Sequence, residues 1–233
     1  MQSERAQAEP VKAVVAEGIT KKSFFERIGV TPDEFCEVVD ANPSIRGVII
    51  GYVGERKLRE FFASDGRVSG LTKDDDHDRT KKGDLNVVYK GRTFRFESKS
   101  LQTNSIKRPP KSDPFQATAT YQCDASDCRT IQLRNKHKVR TTCLEVGEFD
   151  IVAVNLFALE DKWRFAFALN YDLPRTNCNK YSKRDQAILL ATLPKITWPV
   201  QWPYVLDPFP LMDLLIAGQE SLPKPAGSVS PLS

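Results

Sequence analysis

Two short runs that meet at a Lys-Gly pair constrain this chain more than any other feature. Asp84 to Tyr89 (Asp-Leu-Asn-Val-Val-Tyr) and Arg92 to Lys99 (Arg-Thr-Phe-Arg-Phe-Glu-Ser-Lys) flank Lys90-Gly91. Side chains alternate between the two faces of a strand. Phe94 and Phe96 on one parity, with Arg95, Glu97 and Lys99 on the other, therefore predict a strand with one buried face. A glycine-containing turn between two such runs predicts an antiparallel hairpin. Residues i and i+2 share a face, so Glu97 and Lys99 project together. Pairing about Lys90-Gly91 sets Asp84 opposite them.

The other elements arrange themselves around this hairpin. Thr31-Pro32-Asp33-Glu34 reads as a helix start, with threonine as cap, proline in the first turn and Glu34 closing a capping box. Asn42-Pro43-Ser44 interrupts, and a second helix is expected from Ile45 to about Phe62. Val48, Ile49, Tyr52, Leu58, Phe61 and Phe62 form its apolar face, and Glu55 points to the core side. Lys73 to Gly83 is a mixed-charge loop. Further on, the sequence predicts a short helix from Pro114 to Gln122 capped by Asp113 and a hairpin from Cys123 to Leu144 turning near Asn135-Lys136. Strands over Phe149–Phe157 and Trp163–Leu169 and a helix over Ser182–Leu190 follow. Trp198, Trp202 and Tyr204 are expected to lie on the core as a C-terminal lid rather than to stack bases. The fold class expected is α/β, with a central mixed β-sheet flanked by helices. The expected division is an N-terminal helical region (1–43), a main domain (44–219) and a disordered Pro-rich tail (220–233).

Composition narrows the class without deciding it. With 40% hydrophobic and 27% charged residues over 233 positions, the chain can bury a full core. A formal charge of +4 permits a polyanionic partner without demanding one. No apolar run approaches the ~20 residues of a membrane-spanning helix, so no membrane partner is expected. The five cysteines are an odd number in a mid-sized chain, which points to reduced thiols and a cytoplasmic setting.

Two carboxylates and an ammonium on one patch suit phosphodiester hydrolysis. Mg²⁺ takes one or two carboxylates plus water and phosphate oxygens, lowers the pKa of its water and offsets charge on phosphorus. Lysine can orient or deprotonate the attacking water. Here Asp84 and Glu97 are the expected ligands and Lys99 the partner of the water. Glu55 is the further carboxylate, counted with the other three as catalytic and with Asp84 and Glu97 as a metal ligand.

In this order of residues the chain resembles the PD-(D/E)XK nuclease superfamily. The motif reads Gly83-Asp84, twelve residues, then Glu97-Ser98-Lys99, with Glu55 on the preceding helix in Gly51-Tyr-Val-Gly-Glu-Arg-Lys-Leu-Arg-Glu60. The resemblance spans Arg46 to Ala168 and implies a restriction-endonuclease-like fold. It also implies one or two Mg²⁺ ions, the Ser98 carbonyl as a further ligand, Gln116 from a following helix, and a homodimer where both strands of a symmetric site are cut. Gly83 stands where the motif has proline, and Tyr121 follows Gln116 at a spacing of five, where exonuclease-type members have four.

The expected function is a metal-dependent endonuclease acting on double-stranded DNA, of type II restriction kind. The alternatives are a repair or recombination nuclease acting on ends or branches, and a non-catalytic DNA-binding or assembly module. Lys107, Arg108 and Lys111, with Arg129, Arg134, Lys136 and Arg140, are the expected DNA-backbone contacts. Cys123, Cys128, His137 and Cys143 could in principle frame a structural Zn²⁺, but free thiols are expected instead.

Overall fold

A computed structural model describes residues 22–73, 83–109 and 116–224. By internal contacts the chain separates into Met1–Pro43 and Ser44–Ser233.

In the first unit, α1 (Phe24–Ile28) and α2 (Pro32–Ala41) are each opened by a reciprocal capping box. Thr31 accepts from the Glu34 amide at 3.2 Å, and the Glu34 carboxylate accepts from the Thr31 amide at 2.7 Å, as Thr31-Pro32-Asp33-Glu34 predicts. Phe24, Phe25 and Phe35 pack edge to face, with centroids 5.5 to 6.1 Å apart.

In the second unit the elements follow as α3 (Pro43–Ala63, whose first residue closes the first unit), β1 (Val68–Thr72), β2 (Leu85–Tyr89), β3 (Arg92–Ser100), β4 (Ala117–Thr120), β5 (Asp124–Gln132), β6 (Lys138–Cys143), β7 (Ile151–Asn155), α4 (Phe157–Glu160), β8 (Phe165–Leu169), α5 (Lys183–Gln186), β9 (Lys195–Trp198) and α6 (Phe209–Ile216). The main sheet has the order β1-β2-β3-β7-β8. Only the β3–β7 pair is parallel, so the sheet is mixed and the fold is α/β. β2 and β3 form the predicted hairpin, with Tyr89 opposite Arg92 and Leu85 opposite Phe96. β7 and β8 are buried along their whole length, which is why Ile-Val-Ala-Val and Phe-Ala-Phe-Ala-Leu read as continuous apolar runs rather than alternating ones.

The two sheet faces carry different cores. Phe94, Phe96, Ile151, Ala153, Phe165 and Phe167 meet Leu58 and Phe62 of α3 and Phe209, Leu211 and Met212 of α6. The Phe62 ring lies 4.8 Å from that of Phe96. On the opposite face Val152, Val154, Ala166 and Ala168 meet Tyr121, Cys123, Leu144, Phe149, Leu190 and Tyr204. Parallel strands need a long crossover, and the one joining β3 to β7 carries β4, β5 and β6.

Several expectations are corrected. The helix placed over Pro114–Gln122 is a strand where the structure describes it: Ala117 and Ala119 are buried, Thr118 is exposed, and β4 pairs with β9. Alternation of period two and β-branched threonines outweighed the capping pattern. Gln116 is therefore exposed and not helical, and residues 110–115, Lys111 and Asp113 among them, lie outside the described residues. On α3 the buried stripe is Gly54, Leu58 and Phe62, while Val48 and Tyr52 are 59% and 62% exposed. Gly54 lies tight against the end of β7: a Cβ there would stand 2.8 Å from Nδ2 of Asn155. The helix over Ser182–Leu190 is one turn, because Leu189 and Leu190 leave it to bridge Glu145 and Arg175.

Tyr204 is buried with its hydroxyl 2.9 Å from that of Tyr121, so the aromatic lid packs on the core. Leu222 donates its amide to Asp172 and its carbonyl accepts from the Trp202 indole, which holds the first residues assigned to the tail. The remainder of that tail, from 225, lies outside the described residues, as do 74–82 of the charged loop and residues 1–21. No helix among the described residues is long and apolar enough to cross a membrane.

Candidate active site

The site is built at the point where β2 stops and β3 continues. Gly83 lies at φ +90°, and a Cβ on it would stand 3.1 Å from the Phe96 carbonyl oxygen. Proline holds φ near −65° and cannot adopt that turn, so the glycine standing in the motif's proline position has a geometric cause. The next residue, Asp84, donates its amide to the Phe96 carbonyl at 2.8 Å, and its Oδ2 accepts from the Ser98 amide at 2.7 Å. The Asp84 carboxylate thus occupies the place in the ladder where a further β2 carbonyl would have been. It has charged neighbours from both sides of the sheet, with Lys99 on one and Glu55 and Lys73 on the other.

Glu97 and Lys99 share the face opposite Phe94 and Phe96, as alternation dictates, and their charged groups are 2.8 Å apart. Their side chains are only 14% and 19% exposed. Burial raises the pKa of Glu97, the Lys99 ammonium lowers it, and the Asp84 and Glu148 carboxylates raise it further, leaving it above the ordinary value. Asp84 is likewise raised by burial, against the opposing pull of Lys99 and the Ser98 amide. Burial opposes the Lys99 ammonium, but Glu97 and Asp84 outweigh it and hold its pKa above that of an ordinary lysine. When both are ionised, the two carboxylates set against one ammonium leave this largely dry patch one positive charge short. A divalent cation would supply that charge, and the oxygen-only donor set suits Mg²⁺ rather than a thiolate-seeking metal.

Glu55 is held elsewhere. It binds Lys73 at 2.8 Å and shares with Tyr52, Lys73, Asp84 and Ser98 a cavity of about 160 Å³ on the α3 side of the sheet. It therefore reaches Asp84 from the side opposite Glu97. Among the described residues no three His, Cys, Asp or Glu side chains lie together as a metal-holding group.

The structure adds neighbours that the sequence did not assign to this site. The Lys99 ammonium also donates to the Asp124 carbonyl at 3.4 Å. Beside it, burial pushes the Cys123 thiol up to about 12, which keeps it protonated. Glu148 carries charge toward Glu97 and is gripped by Arg129, whose Nη2 lies 2.5 and 2.7 Å from its two oxygens. These residues come from the crossover, 24 or more positions beyond Lys99, and no local spacing places them here.

The basic residues divide in the same way. Arg129, expected to grip DNA, is committed to Glu148. Together with Arg95, Arg134, Glu145 and Glu148 it lines a cleft of about 210 Å³. Arg134, Lys136 and Arg140 are exposed on the β5–β6 hairpin, whose turn has Lys136 at φ +66°. Lys107 is exposed beside β4, and Arg108 donates to the Leu159 carbonyl at 2.8 Å. All five cysteines are free. His137 is bonded through Nδ1 to buried Asp185 at 3.0 Å, and Cys123 is buried where Cys128 is exposed.

No family model and no curated protein matches the chain. Among solved structures a bacterial homing endonuclease is similar at 17% identity, over 60% of this chain and 86% of that chain, with a TM-score of 0.34. That likeness carries no argument. What the site can do rests on its own geometry.

Proposed function

We propose that this protein is a metal-dependent deoxyribonuclease that hydrolyses phosphodiester bonds within double-stranded DNA, cytoplasmic and of restriction-like kind. One observation carries the reading. Asp84, Glu97 and Lys99 converge at the end of a strand pair, largely shielded from water, with two carboxyl groups facing one ammonium.

Asp84 and Glu97, with the Ser98 carbonyl, would hold Mg²⁺. When bound, the ion supplies a Lewis acid for a phosphate oxygen and acidifies water at neutral pH. Lys99, kept protonated by its two carboxylates, donates hydrogen bonds and orients the attacking water or a phosphate oxygen. A charged ammonium cannot take a proton, so positioning is favoured over general-base work. Glu55 acts through Asp84 from the other side of the sheet, as a charge neighbour held by Lys73. Lys107, Arg108, Lys111, Arg134, Lys136 and Arg140 are the proposed phosphate contacts, while Arg129 serves Glu148. A homodimer would present two such sites to the two strands.

The test incubates wild type and Asp84→Asn with closed-circular, linear, forked and single-stranded-end DNA, in Mg²⁺ and in EDTA. Cleavage by wild type that requires Mg²⁺ and is lost in the variant is expected. Absence of Mg²⁺-dependent cleavage on every substrate refutes the reading. The exposed ring of Tyr52 beside Asp84 favours a second one, a repair or recombination nuclease acting on ends or branches, which the forked substrates separate from the first.

A further inference from the structure

Helix α3 carries two adjoining stripes. Gly54, Leu58 and Phe62 face the sheet. Tyr52, Glu55, Arg56 and Arg59, at i, i+3, i+4 and i+7, share a neighbouring face and line the cavity whose far wall is Asp84, Leu85 and Ser98. An apolar aromatic at 62% exposure on that wall contributes nothing to the core. Lys73 reaches the helix wall, 2.8 Å from Glu55 and 6.0 Å from the Tyr52 ring centre. Glu55 and Lys73 offset each other within the cavity, so the exposed ring beside Asp84 is bordered by the two guanidiniums of Arg56 and Arg59. Among the described residues Arg56 pairs with Glu60 at the surface, its side chain 79% exposed, and such exposed pairs are worth little.

An aromatic ring bordered by cations matches the chemistry of a nucleotide, with stacking for the base and charge for the phosphate. At about 160 Å³ the cavity is roughly half of the ~300 Å³ at which pockets for drug-sized ligands begin. It therefore has room for one base or one phosphate and not for a base pair. Inside a duplex every base is already stacked on its neighbours, so only an unpaired or extruded base offers a free face to Tyr52. We infer that the protein takes DNA in which a nucleotide next to the scissile phosphate is unpaired, and that Tyr52 stacks on its base. This rests on the nuclease reading above for the position of the scissile phosphate at Asp84.

The experiment measures binding in EDTA, so that it does not depend on cleavage. The probes are a fully paired hairpin duplex and the same duplex with one unpaired nucleotide. 2-Aminopurine is placed in turn at the unpaired position and at its neighbours. Wild type should bind the second probe more tightly than the first and quench 2-aminopurine at one position. Tyr52→Ala should weaken that binding about 5- to 150-fold, the range of one base–aromatic stack, and abolish the quench. Tyr52→Phe should keep both, and an abasic nucleotide at the unpaired position should weaken wild type as much as Tyr52→Ala weakens the intact probe. Equal affinity of wild type and Tyr52→Ala, an undiminished quench, or no binding of either probe overturns the inference. Tyr52-dependent binding with no Mg²⁺-dependent cleavage upholds the stacking contact and overturns the nuclease reading. Cleavage indifferent to Tyr52 does the reverse.

Discussion

Gly83→Ala tests whether the entry to the site depends on a backbone shape that only glycine adopts freely. The residue sits at φ +90°, past the left-handed well that other residues occasionally visit, and such conformations cost about 1–3 kcal/mol. The new methyl would also stand 3.1 Å from the Phe96 carbonyl oxygen and 3.3 Å from Cβ of Arg95. That carbonyl already receives the Asp84 amide, so relief by backbone movement shifts Asp84 itself. Alanine has one compensation: it narrows the unfolded ensemble, a gain of about 0.4–1 kcal/mol. The strain is larger, and the expected net loss is about 1–2 kcal/mol. For a unit of this size each kcal/mol moves the midpoint by about 2–4 °C, so thermal unfolding should shift down by roughly 2–8 °C. Gly66→Ala is the control, since a Cβ there meets nothing within 4 Å and its φ is not in the left-handed range; its midpoint should stay level or rise slightly. A Gly83→Ala protein as stable as wild type would refute the claim that this turn excludes a side chain. So would the tolerance of proline at this position.

Three further outcomes follow from other parts of the structure. Mg²⁺ should raise the unfolding midpoint of wild type in proportion to RT ln(1 + [Mg²⁺]/Kd), about 2.7 kcal/mol at a hundredfold excess over Kd, and should leave a double Asp84→Asn, Glu97→Gln variant unmoved; calorimetric scans across Mg²⁺ concentrations decide this. Within α3, Gly51→Ala meets open space and should add the ~1 kcal/mol of helix propensity, whereas Gly54→Ala must displace Asn155, which is fixed by bonds to Ser100 and Phe157, and should destabilise; urea midpoints of opposite sign are expected from two glycines three positions apart. Asp185 has its pKa lowered by hydrogen bonds from Asn135 and Ser182, helped by His137. Its folded pKa is depressed, so its stabilising contribution is present above the ordinary aspartate range and is lost as the pH falls through the folded value. Acid titration of wild type against Asp185→Asn should therefore show the wild-type advantage vanishing at low pH and holding constant above pH ~6.

How much of this was legible in the sequence depends on how local each cause was. The β2–β3 hairpin, the capping box at Thr31 and the turn at Lys136 are written in spacings of two to four residues, and each stands where those spacings put it. Convergence of Glu97 and Lys99 follows from the period of a strand alone, and Asp84 follows from the register of one turn. The face of α3 was not legible in the same way. Val48 and Tyr52 have the spacing of a buried stripe, but which side of a helix meets the sheet was settled by Gly54 against Asn155, a contact a hundred positions apart in sequence. The strand at Ala117 was hidden in part because its partner, Lys195–Trp198, is also far off in the chain. For the same reason Glu148 and Asp124 could not be read as members of the site, and Arg129 looked like a free cation until its carboxylate partner was placed beside it.

The bond from the Ser98 amide to the Asp84 carboxylate bears on how loss-of-function variants are to be chosen. That side chain closes the end of a β ladder and is also the proposed ligand of a cation, so truncating it to alanine would strip a main-chain donor of its acceptor, at about 1–3 kcal/mol. An inactive alanine variant would then be ambiguous between lost chemistry and a frayed strand end. Asparagine keeps an oxygen for the amide while surrendering the charge, and it separates the two roles in a single substitution.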